Sequence, residues 1–134
     1  MPLLFLTLLA GCPSVNTPGT ETITTTDQGS VCLEAPTADS DGVITVDPNL
    51  CLSSSCDTLL SGTCSATLDG TTITVTSEFV VESQTGDVTC TDDCGLPTAN
   101  CTVGPLPLGT YTLVHGAQSE TIDVPTTDTC DMYG

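Results

Sequence analysis

The chain contains no lysine and no arginine, although it has 17 aspartate and glutamate residues and a formal net charge of −17. Neutralising the phosphates of a nucleic acid requires basic side chains, so this composition excludes nucleic acid as a partner. It also excludes binding to an anionic membrane surface through charge. A phosphate or carboxylate substrate would likewise find no cationic side chain to hold it.

Aromatic residues are scarce as well, at 3% of the 134 residues, and tryptophan is absent. A face that binds sugars would need aromatic platforms, so sugar binding is disfavoured. A core made mainly of valine, isoleucine and leucine is thin in a small domain, and covalent cross-links then matter for stability. The apolar run at residues 3–10 is much shorter than the ~20 residues of a membrane-spanning helix.

That apolar run ends in Leu9-Ala10-Gly11-Cys12. Its length fits the apolar region of a secretory signal, and the four residues resemble the lipobox of bacterial lipoproteins. The resemblance implies that residues 1–11 are a signal peptide that is removed, and that Cys12 carries the lipid. It places the protein in the bacterial cell envelope, at the outer membrane on its surface or periplasmic face. Two or more acyl chains are enough for stable anchoring.

Eight further cysteines follow Cys12, at Cys32, Cys51, Cys56, Cys64, Cys90, Cys94, Cys101 and Cys130. An even number in an exported chain predicts complete pairing into four disulfides. The short Cys51–Cys56 and Cys90–Cys94 spacings also suit zinc, but an oxidising compartment favours disulfides. Within the groups Cys51/Cys56/Cys64 and Cys90/Cys94/Cys101 we expect at least one bond between neighbours.

The composition divides the rest of the chain in two. Residues 12–30 are rich in threonine and proline and poor in apolar residues, which predicts a flexible lipidated tether. The alternative is a strand over Glu21–Thr26, because threonine favours strands. Residues 31–134 are expected to form the disulfide-rich β domain, beginning at Val31-Cys32-Leu33.

Alternation of apolar and polar residues predicts the strands of this domain. Runs on both sides of Asp69-Gly70 indicate a β-hairpin with both turn residues at positive φ. Its outer face would be formed by solvated threonines, namely Thr67, Thr72, Thr74 and Thr76. A second hairpin over Thr110–His115 and Glu120–Val124 looks like the last hairpin of immunoglobulin-like or fibronectin-like domains.

These signals predict an all-β, small antiparallel sandwich that is rich in disulfides and preceded by the tether. The segment from about Cys51 to Pro125 resembles small cysteine-rich lipoproteins of myxobacteria and their relatives. That resemblance brings no settled activity with it.

Three functional hypotheses follow. The first is a structural or interaction role without catalysis or cofactor, in which the lipid anchors the protein and the partner is a protein or another envelope component. The second is calcium-dependent binding through Asp39, Asp41 and Asp47, since carboxylate oxygens suit hard cations. The third is an enzyme using His115, the only histidine, although the residues show no nucleophile-elbow motif. The pattern predicts that His115 is half exposed at a strand end.

Overall fold

The computed structural model describes residues 18–126 and Cys130. The described part of the chain contains eight strands and no helix, so the all-β prediction is confirmed. The lipobox-like motif and Cys12 lie outside the described residues. The strands are β1 (Gly19–Thr26), β2 (Ser30–Glu34), β3 (Ser40–Asp47), β4 (Asp57–Asp69), β5 (Thr72–Thr85), β6 (Ala99–Leu106), β7 (Gly109–His115) and β8 (Gln118–Val124).

Two sheets form the sandwich. The larger sheet is organised around β5, which pairs with β4 along one edge and with both β1 and β7 along the other, and β8 extends the sheet beyond β7. The smaller sheet has the order β2-β3-β6. All pairs are antiparallel except β5 with β7. Because β6 is an edge strand, it can include Pro105, which has no N–H to donate.

The core lies between the inner faces of the two sheets. Every second residue of β5 from Ile73 to Val81 is buried, and Ile44 and Val46 of β3 are fully buried opposite them. The hydroxyl group of Tyr111, a buried aromatic residue, donates a hydrogen bond to the Pro107 carbonyl oxygen at 2.7 Å. Alternation in the sequence therefore corresponds directly to burial in the sandwich.

The tether prediction is wrong for part of its length. β1 occupies Gly19–Thr26 and pairs antiparallel with β5 from Gly19↔Thr85 to Thr26↔Glu78. The alternative, a strand over Glu21–Thr26, is what the structure shows. The prediction from composition was wrong because β1 is an edge strand that buries little of its own surface. It is held by the ladder of backbone hydrogen bonds to β5, and its β-branched threonines suit this position.

Both predicted hairpins are present, with one difference at the first turn. Asp69 still pairs with Thr72, so the two-residue turn is Gly70-Thr71 and not Asp69-Gly70. Only Gly70 has a positive φ there, +61°, and glycine at the first turn position meets that requirement without steric cost. The second hairpin joins β7 to β8 through Gly116-Ala117.

All eight described cysteines are paired, which confirms the disulfide prediction. The bonds are Cys32–Cys130, Cys51–Cys94, Cys56–Cys90 and Cys64–Cys101. The expected bonds between neighbours are wrong, because each cysteine of the first group pairs with one of the second. The segment around Leu52 runs antiparallel to the segment around Gly95, and this arrangement aligns the two groups with each other.

Candidate functional site

The most unusual buried polar group lies where β1 and β7 end beside the same stretch of β5. The β1 ladder stops at Thr26↔Glu78 and the β7 ladder stops at Val75↔His115. Ser77 lies between the ends of these two ladders, and its backbone groups form hydrogen bonds with Asp27 instead. Its amide N–H donates to Asp27 Oδ1 at 2.7 Å, and its carbonyl oxygen accepts from the Asp27 amide at 2.9 Å. Asp27 thus bridges the gap between the two strands, with its backbone at φ +52°.

His115 is joined to this junction through its side chain. Its Nε2 atom lies 2.8 Å from Ser77 Oγ, and the two residues are 3% and 5% exposed. The expectation that His115 is half exposed is therefore wrong. The reason is strand parity, since His115 follows the inward positions of Tyr111 and Leu113 and faces the core with them. Its Nδ1 atom is buried without a hydrogen-bond partner among the described residues.

A serine within hydrogen-bonding distance of a histidine is the first link of a nucleophile–base pair. The described residues do not extend this pair to a catalytic triad. No described group orients Nδ1, and the Asp27 carboxylate is engaged by the Ser77 amide. A cavity of about 150 Å³ borders His115 near Leu113 and Glu120, but Nδ1 itself is almost inaccessible to solvent. The arrangement is a buried polar link that joins β5 to β7.

Sequence reasoning did not identify Ser77 as the partner of His115, or Asp27 as the partner of the Ser77 backbone. A signal was present, because Ser77 occupies an inward position of β5 between Val75 and Phe79, both of which are buried. A polar residue in that register needs a hydrogen-bond partner, and the only histidine of the chain supplies it.

The three candidate calcium ligands do not converge. Asp41 and Asp47 both belong to β3 and are six residues apart, which corresponds to about 20 Å along a strand. Asp47 is buried and accepts a hydrogen bond from the Asn49 amide at 2.8 Å. Asp39 lies in the turn before β3 at φ +65°. Across residues 18–126 and Cys130, no group of three or more histidine, cysteine, aspartate or glutamate residues could hold a metal ion.

Two carboxylates stabilise the disulfide-linked loops at one end of the sandwich. Asp57 accepts hydrogen bonds from the Ser83 hydroxyl and the Ser53 amide, and these lower its pKa below 3.8. Asp93 accepts from Ser54 and from the Thr91 hydroxyl, which lowers its pKa to about 2. Both carboxylates therefore stay ionised at neutral pH as hydrogen-bond acceptors.

The outer surface of the larger sheet forms a hydroxyl face. Strand register places short hydroxyl side chains on most outer positions of β1, β4, β5, β7 and β8, and Glu78, Val80 and Glu82 of β5 lie among them. Its members are Thr20, Thr22, Thr24, Thr26, Thr58, Ser61, Thr63, Ser65, Thr67, Thr72, Thr74, Thr76, Thr110, Thr112, Ser119 and Thr121. All are exposed except Thr72, which is half buried. The predicted threonine face is thus confirmed, and it extends across all five strands.

Comparison with protein-family models, with curated proteins and with solved structures finds no significant match for this chain. Within the described residues, no helix has the length and apolar character needed to cross a bilayer.

Proposed function

We propose that this chain is a lipid-anchored domain of the bacterial cell envelope, at the outer membrane, with a structural or interaction role and no catalysis. The observation that carries the proposal is the cysteine pairing. Eight of the nine cysteines bond to one another. The ninth, Cys12, is the one in the lipobox-like motif, where it would be consumed by lipid attachment. Disulfides of this density are typical of exported proteins.

Two features support contact with a partner over catalysis. The threonines of the hydroxyl face are short and stiff at χ1, so they lose little entropy when a partner covers them. The described polar residues that could have formed a catalytic pair, Ser77 and His115, are buried and joined to each other. The domain is therefore better suited to display on the envelope than to turnover.

Lipid attachment is tested by expressing the full chain and its Cys12→Ala variant in a bacterium that processes lipoproteins. The parent should partition into detergent, and mass spectrometry should find diacylglycerol on a chain that begins at Cys12. The variant should remain in the aqueous phase. Ser14→Ala is the matched control and should behave as the parent. Equal partitioning of the mature forms of the parent and of Cys12→Ala would refute the anchor.

The absence of catalysis by the buried pair is tested with a fluorophosphonate, which labels activated serine nucleophiles. We expect no covalent label on the folded chain, because Ser77 is 5% exposed. Labelling of Ser77 that disappears in a His115→Gln variant would support the enzyme hypothesis instead.

A further inference from the structure

The outer edge of β4 is a surface that the fold leaves open. β4 pairs with β5 along one edge, and no strand of the described chain pairs with the other. The half of β4 near Ala66 and Leu68 lies beside β6, with the Cys64–Cys101 disulfide and a shared cavity between them. The other half, from Asp57 to Thr63, lies between the Cys56–Cys90 and Cys64–Cys101 disulfides, and it is open because five of its seven residues are exposed. Such an edge presents unpaired backbone N–H and C=O groups to an incoming strand.

Apolar side chains accompany these backbone groups. Leu59 and Leu60 are 41% and 53% exposed, and Leu60 is the extra residue of the bulge between Leu59 and Ser61. A bulge changes the direction in which a side chain points. Here the bulged position carries a leucine and not a protective charge, so the open edge retains apolar surface that a partner could bury.

Charge determines which partner fits. On the outer face of the sheet, Glu82 lies across from Thr58 and Glu78 lies across from Thr63. The two glutamates are four residues apart, about 13 Å along β5. The short threonines leave room for long side chains on an added strand to reach across β4 to both carboxylates. The net charge of −17 would also attract a cationic partner from a distance.

We propose that the Asp57–Thr63 edge binds an extended cationic segment of a partner protein, which adds to the larger sheet as a further strand. Lysine or arginine at alternate positions of that segment would face Glu78 and Glu82. Its intervening apolar residues would pack against the side that carries Leu59. The proposal rests on the interaction role proposed above and gives that role its partner chemistry. Self-pairing of two copies is disfavoured because each copy carries the same large negative charge.

The other open edge in this half of the sheet belongs to β1, and it is less suited to the same partner. Its only large exposed apolar residue is Ile23, 44% exposed, and β1 contains no bulge in its ladder with β5. Ile23→Asp therefore serves as the variant that distinguishes the two edges.

The test measures fluorescence anisotropy of a labelled nine-residue peptide of alternating lysine and valine, titrated with the full chain in detergent. We expect saturable binding that weakens as salt rises. A peptide with glutamate in place of lysine should not bind. A peptide whose valines are N-methylated keeps its charge but loses backbone donors, and it should bind at least about tenfold more weakly.

Variants of the protein then locate the site. Leu60→Asp should weaken binding about tenfold even though it adds a negative charge. Leu108→Asp adds the same charge at a residue that is 74% exposed in the turn before β7, and it should stay within about twofold of the parent. Glu78→Gln should weaken binding and reduce its salt dependence. Circular dichroism confirms that each variant is folded.

Three outcomes would overturn the proposal. Equal binding of the N-methylated peptide would show that charge alone is responsible. Loss of binding in Ile23→Asp but not in Leu60→Asp would assign the site to β1. Sedimentation showing a dimer that Leu60→Asp dissociates would assign the edge to a second copy. Lipid on Cys12 is measured in the same preparation, so a failure of this proposal is distinguishable from a failure of anchoring.

Discussion

Ser77 Oγ and His115 Nε2 lie 2.8 Å apart at the point where two strands, β1 and β7, end beside a third. This hydrogen bond ties the centre of β5 to the last residue of β7, while Asp27 ties β5 to the end of β1. A sheet that places two strands end to end leaves backbone groups unpaired at the joint. Asp27 satisfies those groups at Ser77 through its own amide and carboxylate, and the buried Ser77 and His115 side chains satisfy each other through their hydrogen bond.

The first prediction concerns this bond. Ser77→Ala should lower the free energy of unfolding by about 1–3 kcal/mol, because it leaves the buried imidazole without its one partner. Urea unfolding followed by circular dichroism measures the change. Thr74→Ala, on the exposed face of the same strand, should change stability by less than about 0.5 kcal/mol. Equal effects of the two variants would show that the Ser77–His115 bond contributes nothing.

The second prediction separates steric clash from backbone strain in the two hairpin turns. Gly116 and Gly70 have φ angles of +58° and +61°. A Cβ on Gly116 would lie 2.4 Å from the Asp27 carbonyl oxygen, whereas one on Gly70 would meet nothing within 4 Å. Gly70→Ala should cost about 1 kcal/mol through conformation alone. Gly116→Ala should cost clearly more, as thermal and urea unfolding of both variants would show.

The strand pattern was the most predictable part of this fold. The alternation in β5 and β7 reports directly which side chains face the core, and turn residues mark both hairpins. The same alternation predicts that His115 is buried, because it continues the inward positions of Tyr111 and Leu113. The expectation of half exposure relied instead on its place next to Gly116. The participation of eight cysteines in disulfides followed from their even number together with the expected export of the chain.

The features that could not be predicted depend on partners far away in the chain. β1 looks like a tether when taken by itself, since its stability comes from the backbone of β5 and not from its own apolar residues. Cysteine connectivity likewise depends on how two loops align in space, and eight cysteines allow about a hundred connectivities. The junction at Ser77 combines both difficulties, because it exists only where three separate segments meet.

The third prediction compares two disulfides by the length of chain that they close. Cys32–Cys130 spans 98 residues and Cys56–Cys90 spans 34. Loop-closure entropy predicts that removing the longer bond costs about 1 kcal/mol more than removing the shorter one. The double variants Cys32→Ala/Cys130→Ala and Cys56→Ala/Cys90→Ala, unfolded in guanidinium, measure this difference. A larger loss from the shorter bond would mean that native contacts near Cys56, which is buried, outweigh chain entropy.

The last prediction concerns Asp57 and acid. Hydrogen bonds from Ser83 and Ser53 lower the Asp57 pKa below its ordinary 3.8. A carboxylate with a lowered folded-state pKa contributes stability above pH 3.8, and that contribution is lost as pH falls through the folded-state value. Asp57→Asn should therefore destabilise the protein by about 1 kcal/mol at pH 7, and the difference should shrink below pH 3.8. Urea unfolding across pH 2–7 measures it, with the exposed Asp87→Asn as the control. A difference that is constant with pH would show that the ionised carboxylate is not what Ser83 and Ser53 stabilise.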